Sequence, residues 1–387
     1  MLPRTAAAVL RRRARHAPVV VLTGPRQSGK TTLARAVFSR KPYATLEDPD
    51  TREFAERDPR AFLARFRGGA ILDEAQRAPA LLSYLQSAVD RERAPGRFVL
   101  TGSQQFGLLS GVSQSLAGRA ALIHLLPFSL AELDAAHRPP SLEDLLWRGL
   151  YPRVIAQRAP PRAWYPDYAA TYVERDVRQL VNVRDLGGFR RFVRMCAART
   201  GQLLNLSALA ADCGITHNTA RAWISVLEAS YLVHLLPPHH RNFGKRLVKA
   251  PKLYFIDTGL AASLVGIRDA KELEIHPMRG ALFETWAVAE LLKRRFNGGR
   301  PADLYFWRDS SGLEVDIVAE RGGKLHALEI KSGTTIASDW IAALGRIAKL
   351  TGAATTLLYG GADSQVRTGV KVFGWREAAA AARHCLG

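Results

Sequence analysis

The chemistry of this chain is most legible at Gly24-Pro25-Arg26-Gln27-Ser28-Gly29-Lys30-Thr31, which satisfies the pattern GxxxxGK followed by Ser or Thr in full. Glycines let such a loop curl so that successive backbone N–H groups point inward at phosphate oxygens. A helix starting at Lys30 adds the partial positive charge of its N-terminus. Lys30 is placed to reach the β- and γ-phosphates, and the Thr31 hydroxyl to ligate Mg²⁺. Residues Gly24 to Thr32 are therefore the expected nucleotide cradle. A second element, Ile71-Leu72-Asp73-Glu74, is an apolar run ending in two acids, with Asp73 lying 42 residues after Thr31. Asp73 can hold Mg²⁺ and Glu74 can polarise an attacking water, the division of labour that hydrolysis of a phosphoanhydride requires. A third run ends in Thr101-Gly102-Ser103-Gln104-Gln105, which places Ser103 beside the γ-phosphate. The chain has no NKxD motif for reading guanine, so ATP with Mg²⁺ is the expected ligand pair.

These residues need a sheet to carry them. Val19-Val20-Val21-Leu22, Ala70-Ile71-Leu72 and Phe98-Val99-Leu100 are short continuous apolar runs, as in buried parallel strands. Helical patterns between them imply right-handed βαβ units.

The sequence resembles the AAA+-type ATPases of bacteria and archaea that carry a C-terminal domain of unknown function. The resemblance rests on the cradle, on Leu46-Glu47-Asp48-Pro49-Asp50, on Leu72-Asp73-Glu74-Ala75-Gln76, and on Leu100-Thr101-Gly102-Ser103. Leu116-Ala117-Gly118-Arg119, Tyr254-Phe255-Ile256-Asp257-Thr258-Gly259 and Phe306-Trp307-Arg308 extend it along nearly the whole chain. It implies an ATPase module and an arginine that stabilises charge on the γ-phosphate, for which Arg119 is the candidate, from the same or a neighbouring subunit. A homo-oligomer is compatible with this.

Leu203 to Leu236 carries a helix-turn-helix pattern. Leu206, Leu209 and Ala210 form one apolar face, Gly214 makes the turn, and Thr216 caps a second helix through Ala220, Trp223, Ile224 and Leu227. Tyr231-Leu232-Val233 enters a wing whose continuation holds Arg241, Lys245, Arg246, Lys249 and Lys252 and no acid before Ile256. His217, Asn218, Thr219 and Arg221 start the second helix and are capable of base or phosphate contacts. The same architecture also serves as a protein-packing module.

In the last third, Glu284 lies in a helical pattern from Leu282 to Phe296. Asp316 lies in Glu314-Val315-Asp316-Ile317-Val318, and Glu329-Ile330-Lys331 follows 13 residues after Asp316. This helix-Glu, strand-Asp, strand-ExK order resembles the restriction-endonuclease-like PD-(D/E)xK nucleases, with Val315 standing where the motif's proline would be. Alternate strand residues share a face, so Glu329 and Lys331 point together while Ile330 points into the core. Asp316, Glu329 and Glu284 are the expected metal ligands, and Lys331 the group that orients or deprotonates water. The same order also fits a nuclease-shaped domain that only binds.

Composition sets the frame. The chain has 387 residues, 47% hydrophobic and 23% charged, and 55 Lys+Arg against 35 Asp+Glu, so 55 − 35 = +20. Two or three domains are expected from that length: an ATPase domain at 1–140, a helical and winged-helix region at 141–250, and a nuclease-like α/β domain at 251–387. A net charge this positive attracts polyanions, so a nucleic acid, DNA first and with weak sequence specificity, is the expected partner. No apolar run approaches the ~20 residues that span a bilayer. Cys196, Cys213 and Cys385 form no CxxC pair, which fits a reducing cytoplasm. The function these readings imply is ATP hydrolysis whose nucleotide state regulates a nuclease-like, nucleic-acid-associated module. The alternatives are an ATP-dependent switch or scaffold with an inactive nuclease-like domain, and a winged-helix transcription regulator.

Overall fold

The computed structural model describes residues 2–103, 115–173, 185–239, 249–308 and 313–387. The apolar runs become strands of one parallel five-stranded sheet in the order β2-β3-β4-β1-β5. Its strands are β1 (Val19–Thr23), β2 (Tyr43–Thr45), β3 (Ile71–Asp73), β4 (Phe98–Gly102) and β5 (Ala120–His124). β1 lies between β4 and β5, and all five of its residues are buried, because helices cover both faces. A strand hidden on two sides cannot alternate polar and apolar residues, hence Val-Val-Val-Leu. Parallel pairing also brings the C-terminal ends of β1, β3 and β4 to one edge, which is where the cradle and the carboxylates sit.

The middle region holds the helices Leu206–Cys213 and His217–Ala229, joined by a turn with Gly214 at φ +66°. The Thr216 hydroxyl caps the second helix by accepting from Thr219 N at 3.1 Å. Trp223 on that helix meets Phe189 and Phe192 edge-on, with ring centroids 5.2 and 5.3 Å away, so one face is core. A three-stranded antiparallel sheet completes the unit, with β8 (Lys252–Phe255) between β6 (Gln202–Leu203) and β7 (Val233–Leu236). The boundary expected at residue 250 is therefore displaced: β8 pairs with strands of the middle region rather than with those that follow it.

The last region is a six-stranded mixed sheet in the order β13-β14-β12-β11-β10-β9. It contains β9 (Tyr305–Arg308), β10 (Glu314–Arg321), β11 (Lys324–Lys331), β12 (Ala354–Tyr359), β13 (Gln365–Arg367) and β14 (Val370–Gly374). The helix Arg279–Asn297 is the longest element of the described residues and binds the regions together. Glu284 on it accepts from Lys252 and Tyr254 of β8, at 3.1 and 2.5 Å, while Glu290 accepts from Leu130 N at 2.9 Å and Asn297 Nδ2 donates to Glu132 at 3.4 Å. One continuous apolar core, from Leu126 through Trp223 to Trp286 and Leu386, runs beneath these contacts. Asp257 is another seam. It accepts from Leu150 N and from the Tyr165 hydroxyl, each at 2.7 Å, and from Leu260 N at 3.1 Å. That places the Ile256-Asp257-Thr258 segment in the packing rather than in a reactive site.

Burial leaves a pH signature. His124 at the end of β5 and His234 on β7 are both held down to about 4 by burial. His124 Nδ1 meets the Tyr231 hydroxyl at 2.6 Å, and its ring packs on Phe296. The unfolded chain takes up these protons near pH 6.5 and the folded chain only near 4, so the unfolded state binds more protons between those values. Stability is expected to fall as pH drops through that window, by up to about 3 kcal/mol per histidine. Denaturant titrations at a series of pH values check this, and His124→Gln should remove roughly half of the slope.

Candidate functional site

The loop after β1 turns back under the end of β5. A side chain at Gly24, where φ is +151°, would place its Cβ 2.1 Å from the Leu125 carbonyl oxygen, so only glycine fits. Gly29, at φ +92°, precedes the helix Lys30–Val37 and lets the chain turn sharply into it. The Lys30 ammonium is buried and folds over the loop, donating to Gly24 O at 3.0 Å and Pro25 O at 2.8 Å. Pro25 is buried, Arg26 and Gln27 are half-buried, and Thr32 is exposed on the first helical turn. Ser28 Oγ and Gln27 Oε1 are buried without a hydrogen-bond partner. Orphaned polar atoms in a loop curled at a helix N-terminus are what a phosphate group would satisfy, so the cradle fits a nucleotide.

The Thr31 hydroxyl donates to Asp73 Oδ1 at 2.9 Å, bringing the two expected Mg²⁺ ligands together across the end of β3. Asp73 also accepts from the Thr101 hydroxyl and, at 2.8 Å, from the Tyr43 hydroxyl. Burial and the hydrogen bond to Asp73 push the Tyr43 phenol up to about 12, so it stays a donor. Glu74 sits at φ +53°, a strained value for a residue with a side chain, which aims its carboxylate past the strand end. Ser103 Oγ donates to Glu74 Oε2 at 3.1 Å, and Gln76 Nε2 donates to the same oxygen at 2.5 Å. The cradle, Asp73, Glu74 and Ser103 thus meet at one edge of the sheet. Gln104 and Gln105 lie outside the described residues.

Three more residues contribute. Thr101, expected only among the polar residues beside the γ-phosphate, and Tyr43, which sequence reasoning missed, orient Asp73. Arg4 is the third: buried, it donates to Ser28 O at 2.9 Å and Leu126 O at 2.6 Å, with Glu132 Oε1 3.4 Å from its Nε. It braces the loop from behind.

For Arg119 the structure rules out the same-chain role. The residue precedes β5 at the end where the parallel strands begin, with Val19 N donating to Arg119 O. Roughly 20 Å of strand separates it from Leu125, against which the cradle packs. Its guanidinium grips both oxygens of Asp90, at 2.6 and 2.8 Å. It does not reach the phosphate site of its own chain.

The second candidate site forms where β8, β10, β11 and the helix Arg279–Asn297 meet. β10 and β11 pair antiparallel, and Ile330 N donates to Asp316 Oδ2 at 2.8 Å. Lys331 Nζ donates to Glu329 Oε1 at 2.6 Å, so the two share a face as the alternation requires. Glu284 and Asp316 do converge, but around a cation the chain itself supplies, while Glu329 pairs with Lys331. Lys252 on β8, expected on the surface of a basic wing, is buried, with its Nζ 3.1 Å from Glu284 Oε1, in an ion pair with Glu314, and 3.8 Å from Asp316 Oδ1. The Tyr254 hydroxyl also donates to Glu284, at 2.5 Å. Among the described residues, no group of three or more His, Cys, Asp or Glu side chains is arranged to hold a metal ion. The ammonium takes the central position instead.

Electrostatics explains the substitution. Burial opposes charge on Lys252, yet the carboxylates of Glu284, Asp316 and Glu314 outweigh it and hold the lysine above its ordinary pKa. Burial, then repulsion from Glu284 and Glu329, lifts Asp316 well above the usual carboxylate range. Burial likewise raises Glu329, against the pull of Lys331, and Glu329 Oε2 is buried without a partner. Of the other cations expected in a wing, Lys249 is exposed, and Arg241, Lys245 and Arg246 lie outside the described residues. His217, Asn218 and Arg221 are exposed at the start of their helix.

Comparison with known proteins agrees with an ATPase domain in the first third of the chain. Residues 16–134 match the family described as "AAA domain", residues 139–271 and 279–377 two families each described as a domain of unknown function. Among solved structures, the Walker-type ATPase of Pyrococcus abyssi is similar, with a TM-score of 0.48 and 16% identity over 68% of this chain and 96% of that one. The RuvB Holliday junction branch migration motor of Thermotoga maritima aligns with a TM-score of 0.30 and 18% identity, over 60% of this chain and 87% of its own. No helix among the described residues is long and apolar enough to cross a membrane. The uncharacterized proteins Mb2031c of Mycobacterium bovis and Rv2008c of Mycobacterium tuberculosis are each 38% identical over 338 residues, 86% of this chain and 74% of theirs. The chain carries an AAA-type ATPase domain and belongs to the family of these two mycobacterial proteins.

Proposed function

We propose that this protein binds and hydrolyses ATP, and that its nucleotide state governs a C-terminal nuclease-like module that acts on or binds nucleic acid. Thr31 and Asp73 would hold Mg²⁺, which when bound neutralises phosphate charge and aligns the leaving group. Lys30 would leave the Gly24 and Pro25 carbonyls for the phosphate oxygens. Glu74, steadied by Ser103 and Gln76, would orient the attacking water and accept its proton.

The observation that carries the coupling is Lys252. It reaches the acidic cluster from a sheet of the middle region, and that region touches the end of the ATPase sheet through Tyr231 and His124. A shift of that sheet with nucleotide state would withdraw the ammonium and release Glu284 and Asp316. The same lysine also favours a second reading. If it stays in place, the module is nuclease-shaped without being a nuclease, and the chain is an ATP-dependent switch that binds a partner.

Incubation with Mg²⁺ or Mn²⁺ and either plasmid or single-stranded DNA, with and without ATP, separates the two. ATP-stimulated cleavage that disappears in Asp316→Ala is the expected result. DNA left intact under every condition leaves the switch. Cleavage by Asp316→Ala at the wild-type rate excludes this cluster as the cutting site.

A further inference from the structure

At the pole of the parallel sheet opposite the phosphate cradle, the helices Pro59–Ala64 and Pro79–Arg91 wall a cavity of about 640 Å³. Its lining includes Arg60, Arg67, Arg91 and Arg97, and a single carboxylate, Glu92. Four guanidinium groups against one acid leave 4 − 1 = +3 around one concavity. Only Arg97 finds that acid, at 3.3 Å, while also donating to Ala88 O at 2.9 Å. Its Nε is buried and has no hydrogen-bond partner. Arg91 donates to Ser87 O at 3.3 Å, and Arg60 lies over the Tyr84 ring at 5.9 Å. Among the described residues, no carboxylate pairs with Arg60, Arg67 or Arg91.

We infer that this groove binds a single strand of nucleic acid. The inference rests on the nucleic-acid association proposed above and assigns it a place, away from both the winged region and the acidic cluster. The guanidinium groups of Arg60 and Arg91 on the two helices, and of Arg67 in the turn after the first, have no carboxylate partner among the described residues and match the repeated charge of a phosphodiester backbone, whose counterions are released on binding. Tyr84, 38% exposed on the wall of the groove, offers a face on which a base can stack. Arginine suits this role because its planar fork meets phosphate oxygens in pairs.

The test is fluorescence anisotropy of a labelled oligodeoxythymidine against the full chain, repeated over a series of salt concentrations. The double variant Arg60→Glu, Arg67→Glu is expected to bind at least about tenfold more weakly, with a log–log salt slope shallower by about 1.4, or about 0.7 for each lost phosphate contact. Tyr84→Leu is expected to lose about fivefold in affinity without a change in slope. Both replaced arginines are exposed and remote from the cradle, so ATP turnover serves as the control for folding. Wild type and double variant binding equally, with the same slope, would overturn the groove and leave nucleic-acid association standing. Wild type binding no oligonucleotide at any salt would overturn both and leave the ATPase untouched.

Discussion

Lys30→Ala is expected to cut ATP turnover by at least about a hundredfold, equivalent to ~3 kcal/mol of lost transition-state stabilisation. The ammonium is the side-chain cation that the structure holds inside the loop, 2.8 Å from Pro25 O and 3.0 Å from Gly24 O. Moving it from those carbonyls to the phosphates needs only rotation of a flexible stem, so it can follow charge as that charge shifts. Lys30→Arg should not restore activity. A planar fork cannot occupy the position of a compact ammonium in a loop with Cβ-free corners at Gly24 and Gly29. Phosphate release under saturating ATP and Mg²⁺ measures both variants. Turnover at the wild-type rate in Lys30→Ala would remove the cradle from the mechanism.

The second large effect is expected on stability. Lys252→Met keeps the length and apolar stem of the side chain and deletes the charge, leaving Glu284, Glu314 and Asp316 without their shared counter-ion. Removing one partner of a buried pair typically costs ~3–5 kcal/mol, because the remaining charge is stranded away from water. Asp316 already resists ionisation through burial and its carboxylate neighbours. Without the lysine, the cluster must either take up protons or bear the repulsion. The loss should therefore grow as pH rises and shrink towards acid, where the carboxylates are neutral. Adding Asp316→Asn to Lys252→Met should recover part of it, since the amide oxygen can still accept from Ile330 N. Urea denaturation at several pH values checks all three statements. A loss below about 1 kcal/mol at neutral pH would show that Lys252 does not hold the cluster together.

The cradle was legible because its chemistry is local. Glycine at two corners, lysine and threonine at the first helical turn, and a buried strand before them lie within a dozen or so consecutive residues, and the backbone places them with little help from the rest of the molecule. The Asp73-Glu74 pair was legible for the same reason, since a parallel strand delivers its C-terminal residues to the ligand edge. The strand alternation of Glu329 and Lys331 also survived, as a period of two follows from backbone geometry. Arg119 did not reach the phosphate site of its own chain, because its motif says nothing about which end of the sheet it occupies. It sits before a parallel strand, and parallel strands carry what precedes them to the far pole.

Taken alone, then, the amino-acid order determined which short segments can grip phosphate, present paired carboxylates, or turn from one helix into the next. Tertiary structure decided which charges meet. It brought Tyr43 and Thr101 to Asp73, Arg4 behind the loop, and Lys252 from a supposed surface wing into the midst of acids between 32 and 64 residues further along the chain. The physical reason is that side-chain partners across strands depend on register, burial and the pairing of distant segments. A lysine at the edge of a basic stretch reads as solvated until a neighbouring sheet and helix close over it, and only then does it become the counter-ion of a carboxylate cluster.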